Sequence, residues 1–312
     1  MKITGTFIDE ISHDIPHQNW GEKEWDADFS AMQSVGIDTV ILIRCGYQRW
    51  MTFPSEILSI QENCFLPQLD LVDLFLNLAE KYGMAFFFGT YDSGKYWKGS
   101  EFQKEIDLNL AVTEEVWRRY GHHPAFKGWY LSQEVSRRTQ GIAETYARLG
   151  MHCKALSNDL PVLISPWIDG VKSVEAYSPH LQKRFGISLE QHRREWGEIM
   201  ESMKDGVDIV AFQDGHVDWA ELPDFLAGNK ALADEHGLIS WTNSESFDRD
   251  MPIKFLPIKW EKLLHKLKAA EQVGMKKAIT FEFSHFMSPN SSYPQARHLF
   301  NRYCEYFGQG FD

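Results

Sequence analysis

The feature that most constrains this chain is an alternation of short apolar runs with longer amphipathic stretches. Eight runs have the length and the β-branched or aromatic content of strands, and each precedes a stretch of helical length. Such an alternation is typical of parallel sheets, because the chain has to cross over between parallel strands. It indicates the α/β class. Eight units predict a closed (β/α)8 TIM barrel, and a doubly wound open sheet with fewer strands is the alternative.

The predicted units run along the whole chain without a break that would mark a linker. Strands are expected at residues 3–9, 39–44, 84–90, 128–134, 162–165, 208–212, 238–242 and 278–283. Helices are expected at residues 25–35, 69–82, 102–120, 142–157, 189–203, 223–236, 260–273 and 295–307. Barrels of this class often exceed 200 residues as one unit, so residues 1–312 are predicted to form a single domain.

Charge and motif content narrow the classes of partner and cofactor. The net charge of -12 provides no basic face for nucleic acid. No Gly-x-Gly-x-x-Gly turn follows the first strand and no Walker-type phosphate loop occurs, so no cofactor is predicted. No run approaches the roughly 18–20 apolar residues that span a bilayer. Four scattered cysteines and the absence of a secretory signal indicate the cytoplasm, with a removed signal left open. The sequence does not indicate an oligomeric state.

Acidic residues collect at the downstream ends of the predicted strands. They are Asp9, Glu134, Asp169, Asp214, Glu245 and Glu282. In a parallel barrel these ends converge on one face, where active sites are built. The buried run 128–134 carries Glu134 at its end, and Glu245 follows the seventh strand. Two carboxylates about 5–5.5 Å apart suit retaining glycoside hydrolysis, whereas a wider separation suits inversion. Glu134 and Glu245 are therefore the predicted catalytic pair.

Aromatic and polar residues near the same strand ends indicate a carbohydrate substrate. Sugar rings stack on aromatic side chains, and their hydroxyls need polar partners. Aromatic residues make up 14% of this chain, which has 11 Trp. The predicted substrate-binding residues are Asp9, His13, Asn19, Arg49, Trp50, Asp92, Trp97, Gln133, Trp167, Asp214, His216, Asn243 and Glu282.

Three short motifs carry a resemblance to a known family. The segments 5–9, 25–41 and 128–134 resemble a bacterial family of uncharacterised, glycoside-hydrolase-like barrel proteins. A Glu ending strand four and a Glu ending strand seven also look like the large retaining glycoside hydrolase clan. That resemblance implies Glu134 as acid/base and Glu245 as nucleophile. The clan usually has Asn before the strand-four Glu, where this chain has Gln133.

Other interpretations of the same residues stay open at this point. Sugar isomerases on this barrel bind a divalent cation, and Glu134, Asp169, His216 and Glu282 could supply such a set. A barrel that binds a glycan without catalysis is the third class. Structural pairings are open too: Glu134 with Arg137 or Arg138, Glu245 with Arg249, and Glu282 with Arg44 or Lys277.

Overall fold

The protein is a closed barrel of eight parallel strands, as the sequence predicts. The structure is a computed structural model that describes residues 1–12, 15–97, 101–173, 186–249 and 255–308. Numbered in chain order, the strands are β1 Ile3–Ile8, β2 Thr39–Leu42, β3 Ala85–Gly89, β4 Phe126–Leu131, β5 Val162–Ile164, β6 Ile209–Gln213, β7 Ile239–Asn243 and β8 Ala278–Thr280. Each strand pairs with its neighbours in the chain, and β1 pairs with β8 to close the ring.

One long helix follows each barrel strand. The helices are α1 Glu22–Ser34, α2 Leu71–Tyr82, α3 Phe102–Tyr120, α4 Ile142–Leu156, α5 Leu189–Met203, α6 Leu222–Glu235, α7 Trp260–Gln272 and α8 Pro294–Phe307. Local signals set several of their ends. The Asp70 side chain accepts a hydrogen bond from the backbone N–H of Asp73 at the start of α2, and Gly83 ends that helix at φ 67°.

Two hydrophobic layers hold the barrel. The inner layer fills the ring with side chains from the strands, including Phe7, Tyr130 and Ile209. The outer layer lies between strands and helices and contains most of the buried aliphatic and aromatic residues, such as Trp25 and Trp129. Because the strands are covered on both faces, their sequences are apolar runs.

The end of β4 shows how local contacts direct a polar side chain. Ser132 follows the strand, and its hydroxyl donates to the Thr90 carbonyl at 2.7 Å while its N–H donates to the Thr90 hydroxyl at 3.0 Å. The backbone N–H of Glu134 then bonds the Ser132 carbonyl at 2.8 Å. The chain turns tightly here, so Glu134 lies at the mouth of the barrel.

Several short elements in the loops after the strands were not predicted. They are the strands Gly46–Tyr47, Trp50–Met51, Tyr91–Asp92, Phe247–Asp248 and Leu256–Pro257 and the helices Glu56–Gln61 and Phe283–Phe286. Strand β8 is shorter than the predicted 278–283 because residues 283–286 form a helical turn that the Glu282 side chain caps. Two-residue strands have too few residues to show a periodic pattern in sequence.

No helix in the described part of the chain combines the length and the hydropathy needed to cross a membrane.

Candidate active site

A cavity of about 300 Å³ opens at the carboxyl ends of the barrel strands. Its described lining comes from the segments after β1, β2 and β4 to β8. The lining residues are Asp9, Ser12, Arg44, Glu134, Trp167, Gln213, His216, Glu245, Phe247, Arg249, Phe255 and Phe281. Both predicted catalytic residues, which are more than a hundred positions apart in sequence, therefore face one space.

Three side chains hold the Glu134 carboxylate. Its Oε1 accepts hydrogen bonds from the Tyr130 hydroxyl at 3.1 Å and from the Gln213 amide at 2.9 Å. Its Oε2 accepts one from the Arg44 guanidinium at 3.2 Å. The partner is thus Arg44, whereas Arg137, considered from sequence, pairs with Asp169 and Glu195.

The surroundings of Glu134 make it a weak acid. Its side chain is 21% exposed, and burial raises the pKa of Glu134 to about 7, against the lowering effects of the Arg44 charge and the Tyr130 hydrogen bond. Neighbouring Asp9 and Asp92 raise that pKa further. A carboxyl group with this pKa exchanges its proton near neutral pH, as a general acid/base must.

Glu245 lies in a different environment. Arg249 donates from Nε and from a terminal nitrogen to the two carboxylate oxygens, at 2.9 Å each. Burial alone would raise the pKa of Glu245, but the charge and hydrogen bonds of Arg249, together with the Lys266 charge, outweigh burial and lower that pKa. Glu245 is therefore ionised at neutral pH. The Glu245–Arg249 pair considered from sequence does form, and it lies in the cavity lining.

The loops after β6 and β7 fix the position of Glu245. The Glu245 N–H donates to Asp214 at 3.2 Å, and Lys266 bonds both Asp214 at 2.7 Å and the Glu245 carbonyl at 3.0 Å. Gly215 lies against the carboxylate, since a Cβ there would be 1.7 Å from Glu245 Oε2. A residue without a side chain leaves the space that the Glu245 carboxylate occupies.

Three predicted substrate-binding residues line the cavity, namely Asp9, Trp167 and His216. The Trp167 indole donates to Asp169 at 3.3 Å. Burial and the nearby Arg249 charge lower the pKa of His216 to about 4, so this imidazole is neutral at physiological pH.

Two other predicted residues act behind the lining. Asp92 accepts from Arg44 at 3.2 Å through one oxygen and from the Trp97 indole at 2.6 Å through the other. Neither Asp92 nor Trp97 belongs to the described lining. Their contacts hold Arg44 in place, and Arg44 in turn holds Glu134.

Three predicted residues are buried beside the cavity instead of facing it. Asp214 accepts a hydrogen bond from the Lys266 ammonium at 2.7 Å, and the Asn243 amide donates to the Ser165 hydroxyl at 3.1 Å. The Gln133 amide donates to the Tyr91 carbonyl at 2.9 Å and to Glu105 at 3.0 Å. The expectation that Gln133 offers its amide to the substrate is therefore not supported, because both of these hydrogen bonds hold the amide within the protein.

The remaining predicted residues lie elsewhere. Asn19 is exposed, Arg49 stacks over Phe65, and Trp50 is 59% exposed against the same ring. None of the three lines the described cavity, because the loops that carry them are long enough to leave the barrel mouth. His13 lies outside the described residues.

Glu282 is fully buried next to the site and has a structural partner. It accepts from His285 Nδ1 at 2.5 Å and from the N–H groups of Ser284 and His285. The pairings with Arg44 or Lys277 considered from sequence do not form, because the helical turn after Glu282 brings His285 closer.

The sequence argument did not select several of the lining residues. Arg44, Gln213 and Arg249 hold the two glutamates, and Phe247, Phe255 and Phe281 form an apolar side. A signal existed for Arg44 and Gln213, since each is a polar residue ending an apolar strand pattern. The phenylalanines gave none, because aromatic residues at such positions are usually core.

The alternative cation set is not assembled. Glu134 and His216 line the cavity, but Asp169 pairs with Arg137 and Glu282 with His285. In the described ranges, no group of three or more His, Cys, Asp or Glu side chains is arranged to hold a metal ion.

Fold and site together define a (β/α)8 barrel protein with a carboxylate-lined cavity at the carboxyl ends of its strands. Within that class, the chain belongs to the family described as "Domain of unknown function (DUF4434)", whose model matches residues 3–293. No curated protein matches the sequence significantly.

Solved structures show the same architecture. A Bacteroides thetaiotaomicron VPI-5482 crystal structure, described as a "putative alpha-L-fucosidase", is 55% identical with a TM-score of 0.94, over 99% of this chain and 94% of that one. An endo-1,4-beta-D-mannanase from Thermotoga petrophila RKU-1 is 11% identical with a TM-score of 0.59, over 97% and 99%. The cellulose synthase subunit Z of Clostridioides difficile is 12% identical with a TM-score of 0.60, over 97% and 99%. The two distant matches show the shared fold.

Proposed function

We propose that this protein is a retaining glycoside hydrolase in which Glu134 is the acid/base and Glu245 the nucleophile. The observation that carries the proposal is the opposite shift of two carboxyl pKa values in one cavity. Burial raises the pKa of Glu134 to about 7, while the Arg249 charge lowers that of Glu245. Glycoside hydrolysis by two carboxyl groups needs one that is protonated and another that is ionised at the same pH, and the positions of Glu134 after β4 and Glu245 after β7 favour the retaining course.

The hydrogen bonds of Glu134 select the oxygen that carries the proton. Oε1 already accepts from Tyr130 and Gln213, whereas Oε2 accepts from Arg44 alone. A carboxylate oxygen has two lone pairs. In the protonated acid, the hydrogen therefore resides on Oε2, from which it passes to the glycosidic oxygen as the bond to the leaving group breaks.

Glu245 attacks the anomeric carbon in the same step. Arg249 occupies one lone pair on each of its oxygens and leaves another on each for bond formation. The guanidinium keeps the group ionised before attack and stabilises it again when the glycosyl–enzyme ester breaks. Water then adds to the anomeric carbon while Glu134, now a carboxylate, takes its proton.

The relatives support a carbohydrate as the substrate. The protein from Bacteroides thetaiotaomicron is described as a "putative alpha-L-fucosidase", and the Thermotoga petrophila protein is described as an endo-1,4-beta-D-mannanase. The cavity lining, which combines polar and aromatic side chains, fits the same ligand class. An α-L-fucoside is accordingly the first substrate to assay in a panel of 4-nitrophenyl glycosides of both anomers.

The acid/base assignment is tested with Glu134→Gln. We expect kcat/KM for glycosides with poor leaving groups to fall by about 10²- to 10⁴-fold, while dinitrophenyl glycosides, which leave without protonation, lose far less. The wild-type kcat/KM should decline as pH rises through about 7, where Glu134 loses its proton, and this decline should disappear in Glu134→Gln. Equal losses on both kinds of leaving group would contradict the acid role.

The nucleophile assignment is tested with Glu245→Gln and with azide. We expect Glu245→Gln to lose activity by about 10⁴-fold or more on every leaving group, since no covalent intermediate forms. Azide added to Glu134→Ala should give the glycosyl azide of retained configuration, and with Glu245→Ala the inverted one. Inverted sugar released by the wild type, seen by NMR of the first product, would contradict retention.

A further inference from the structure

The Asp9 side chain has one oxygen that is fixed and one that is unpaired. Oδ1 accepts the backbone N–H groups of Ile11 at 3.1 Å and Ser12 at 3.0 Å, which locks the carboxylate after β1. Oδ2 is buried and has no hydrogen-bond partner among the described residues. Asp9 is 1% exposed and lines the cavity. A buried acceptor without a partner is costly unless a ligand supplies the donor.

Ser12 extends the same polar side of the cavity. Its Oγ is also buried without a partner in the described ranges, and the residue lines the cavity beside Asp9. A hydroxyl both donates and accepts, whereas the Asp9 carboxylate accepts only. The pair therefore fits two hydroxyl groups of one ligand, one of which donates to Asp9 while the other exchanges a bond with Ser12.

The positive charges of the described lining are already neutralised. Arg44 is shared between Asp92 and Glu134, at 3.2 Å each, and Arg249 is paired with both oxygens of Glu245. A ligand carboxylate would find both guanidinium charges of this lining already in ion pairs, with the Arg44 Nε–H as their one buried N–H without a hydrogen-bond partner among the described residues, and it would approach the Asp9 charge. A negatively charged sugar is disfavoured on both counts.

The rest of the lining limits the size and the character of the ligand. Phe247, Phe255 and Phe281 supply apolar surface, and Trp167 adds an indole. A volume of about 300 Å³ is at the lower end of the range of roughly 300–1,000 Å³ for small-molecule sites. The cavity therefore accommodates a short part of a glycan with an apolar face.

We propose that Asp9 and Ser12 form the specificity site for the sugar on the non-reducing side of the cleaved bond, and that this sugar is uncharged. Asp9 Oδ2 accepts one of its hydroxyls, and uronic acids are excluded. The inference rests on the proposed hydrolase function and specifies the class of its substrate, an uncharged sugar. Because it concerns binding, it also has a readout that does not require turnover.

Asp9→Asn is the sharpest test because it preserves the loop. The Asn oxygen can still accept from Ile11 and Ser12, while an NH₂ group replaces Oδ2. We expect kcat/KM for the best neutral glycoside to fall about ten- to a hundredfold, as for loss of a hydrogen bond to a charged group. Asp218→Asn is the matched control, since Asp218 likewise accepts a backbone N–H, from Ala220 at 3.0 Å, but does not line the cavity. The control should keep wild-type kinetics.

A series of monodeoxy glycosides distinguishes the loss of one hydroxyl contact in Asp9→Asn from a general disturbance of the cavity. For the wild type, removing the hydroxyl bound by Asp9 from the substrate should lower kcat/KM by about the same factor as Asp9→Asn does for the complete substrate. Asp9→Asn should not lower kcat/KM for that deoxy substrate any further. A loss in Asp9→Asn that is equal for every member of the series would overturn the proposal. So would faster cleavage of 4-nitrophenyl glucuronides or galacturonides than of neutral glycosides by the wild type.

Calorimetric titration separates this inference from the proposed reaction. The probes are L-fucose, D-mannose, D-galactose, D-xylose and D-glucuronate, titrated into Glu245→Gln with and without Asp9→Asn. A neutral sugar that binds, and binds about tenfold or more weakly to the double variant, supports the site even if no glycoside is hydrolysed. Hydrolysis with the same kcat/KM in Asp9→Asn as in the wild type would support the hydrolase function and would overturn the proposed Asp9 site. No binding and no hydrolysis would overturn both.

Discussion

Glu134 and Glu245 have identical side chains, so the difference between their pKa values comes from the residues around them. Glu134 accepts two bonds from uncharged groups and one from an arginine that it shares with Asp92. Glu245 has Arg249 bound to both of its oxygens. A guanidinium that makes two hydrogen bonds stabilises the carboxylate form more than a shared one does. The difference in role between the two residues thus follows from the partners of each.

Gly215 gives a test of how closely the Glu245 carboxylate is held. In Gly215→Ala, the new Cβ would lie 1.7 Å from Glu245 Oε2 and 2.4 Å from Arg249 Nε, so both side chains must move. We expect kcat/KM to fall by about 10²-fold, because displacements near 1 Å at a reacting group have costs of that order. The melting temperature should change little, since the displaced atoms are the ends of side chains.

Gly237→Ala is the matched control for that substitution. Gly237 has φ 71° and open space where a Cβ would stand. Alanine there should lower the free energy of unfolding by about 1 kcal/mol through backbone strain and leave kcat/KM unchanged. If Gly215→Ala instead lost stability and kept activity, the Glu245 carboxylate would not be the reacting group.

Among the elements, the helical turn Phe283–Phe286 ties the end of β8 to the loop after β1. Glu282 caps the turn, and His285 bonds both Glu282 at 2.5 Å and the Pro16 carbonyl at 2.8 Å. Burial alone would lower the pKa of His285, but the Glu282 charge and hydrogen bond, together with the Asp9 charge and the bond to Pro16, outweigh burial and raise that pKa to about 9. The turn is therefore held by a buried imidazolium–carboxylate pair at neutral pH.

This pair should make stability depend on pH in a defined window. Because the pKa of His285 is raised from 6.5 to about 9, its stabilisation is complete below about pH 6.5 and is lost as pH rises through 9. The loss can reach about 3 kcal/mol. Glu10 and Asp28, which also face His285, have pKa values of about 7 and titrate at the lower end of this window, so the measurement is made above pH 7.5.

The measurement is the free energy of unfolding between pH 7.5 and 9.5 from urea denaturation. His285→Gln should be less stable than the wild type at pH 7.5 and should approach it at pH 9.5. His265→Gln, at an exposed position, should follow the wild-type curve. Parallel curves for the wild type and His285→Gln would show that His285 is not charged in the folded protein.

For the whole molecule, the first and last elements close the ring. Strand β1 pairs with β8, and the Ile3 N–H at the start of β1 donates to the Tyr303 hydroxyl in α8 at 2.8 Å. Residues 300 positions apart in sequence thus meet in a buried contact. Long-range contacts of this kind make the barrel depend on both ends of the chain.

Tyr303→Phe tests that closure. The substitution leaves the buried Ile3 N–H without its acceptor, so we expect the free energy of unfolding to fall by about 1–3 kcal/mol. Tyr306→Phe, on the same helix but 50% exposed, should change it by less than about 0.5 kcal/mol. Thermal melts of these variants also test the prediction of a single domain, which requires one cooperative transition. A Tyr303→Phe protein as stable as the wild type would contradict a role for this contact in closure.

The amino-acid sequence by itself determined the architecture. Apolar runs and amphipathic stretches are local patterns, and they identified eight strands and eight helices, two of which, Phe102–Tyr120 and Leu189–Met203, begin and end at the predicted residues. The same patterns placed Glu134 and Glu245 after strands β4 and β7, because parallel strands of a barrel present their ends on one face.

Only the tertiary structure decided which polar side chains share the cavity. Gln133 and Glu134 are adjacent in sequence, yet Gln133 donates to Glu105 of helix α3 while Glu134 faces the cavity. Arg44, Gln213 and Arg249 obtain their roles from contacts across the ring. Side-chain direction after a strand depends on the turn that follows and on the neighbouring loops, and neither leaves a periodic signal in the sequence.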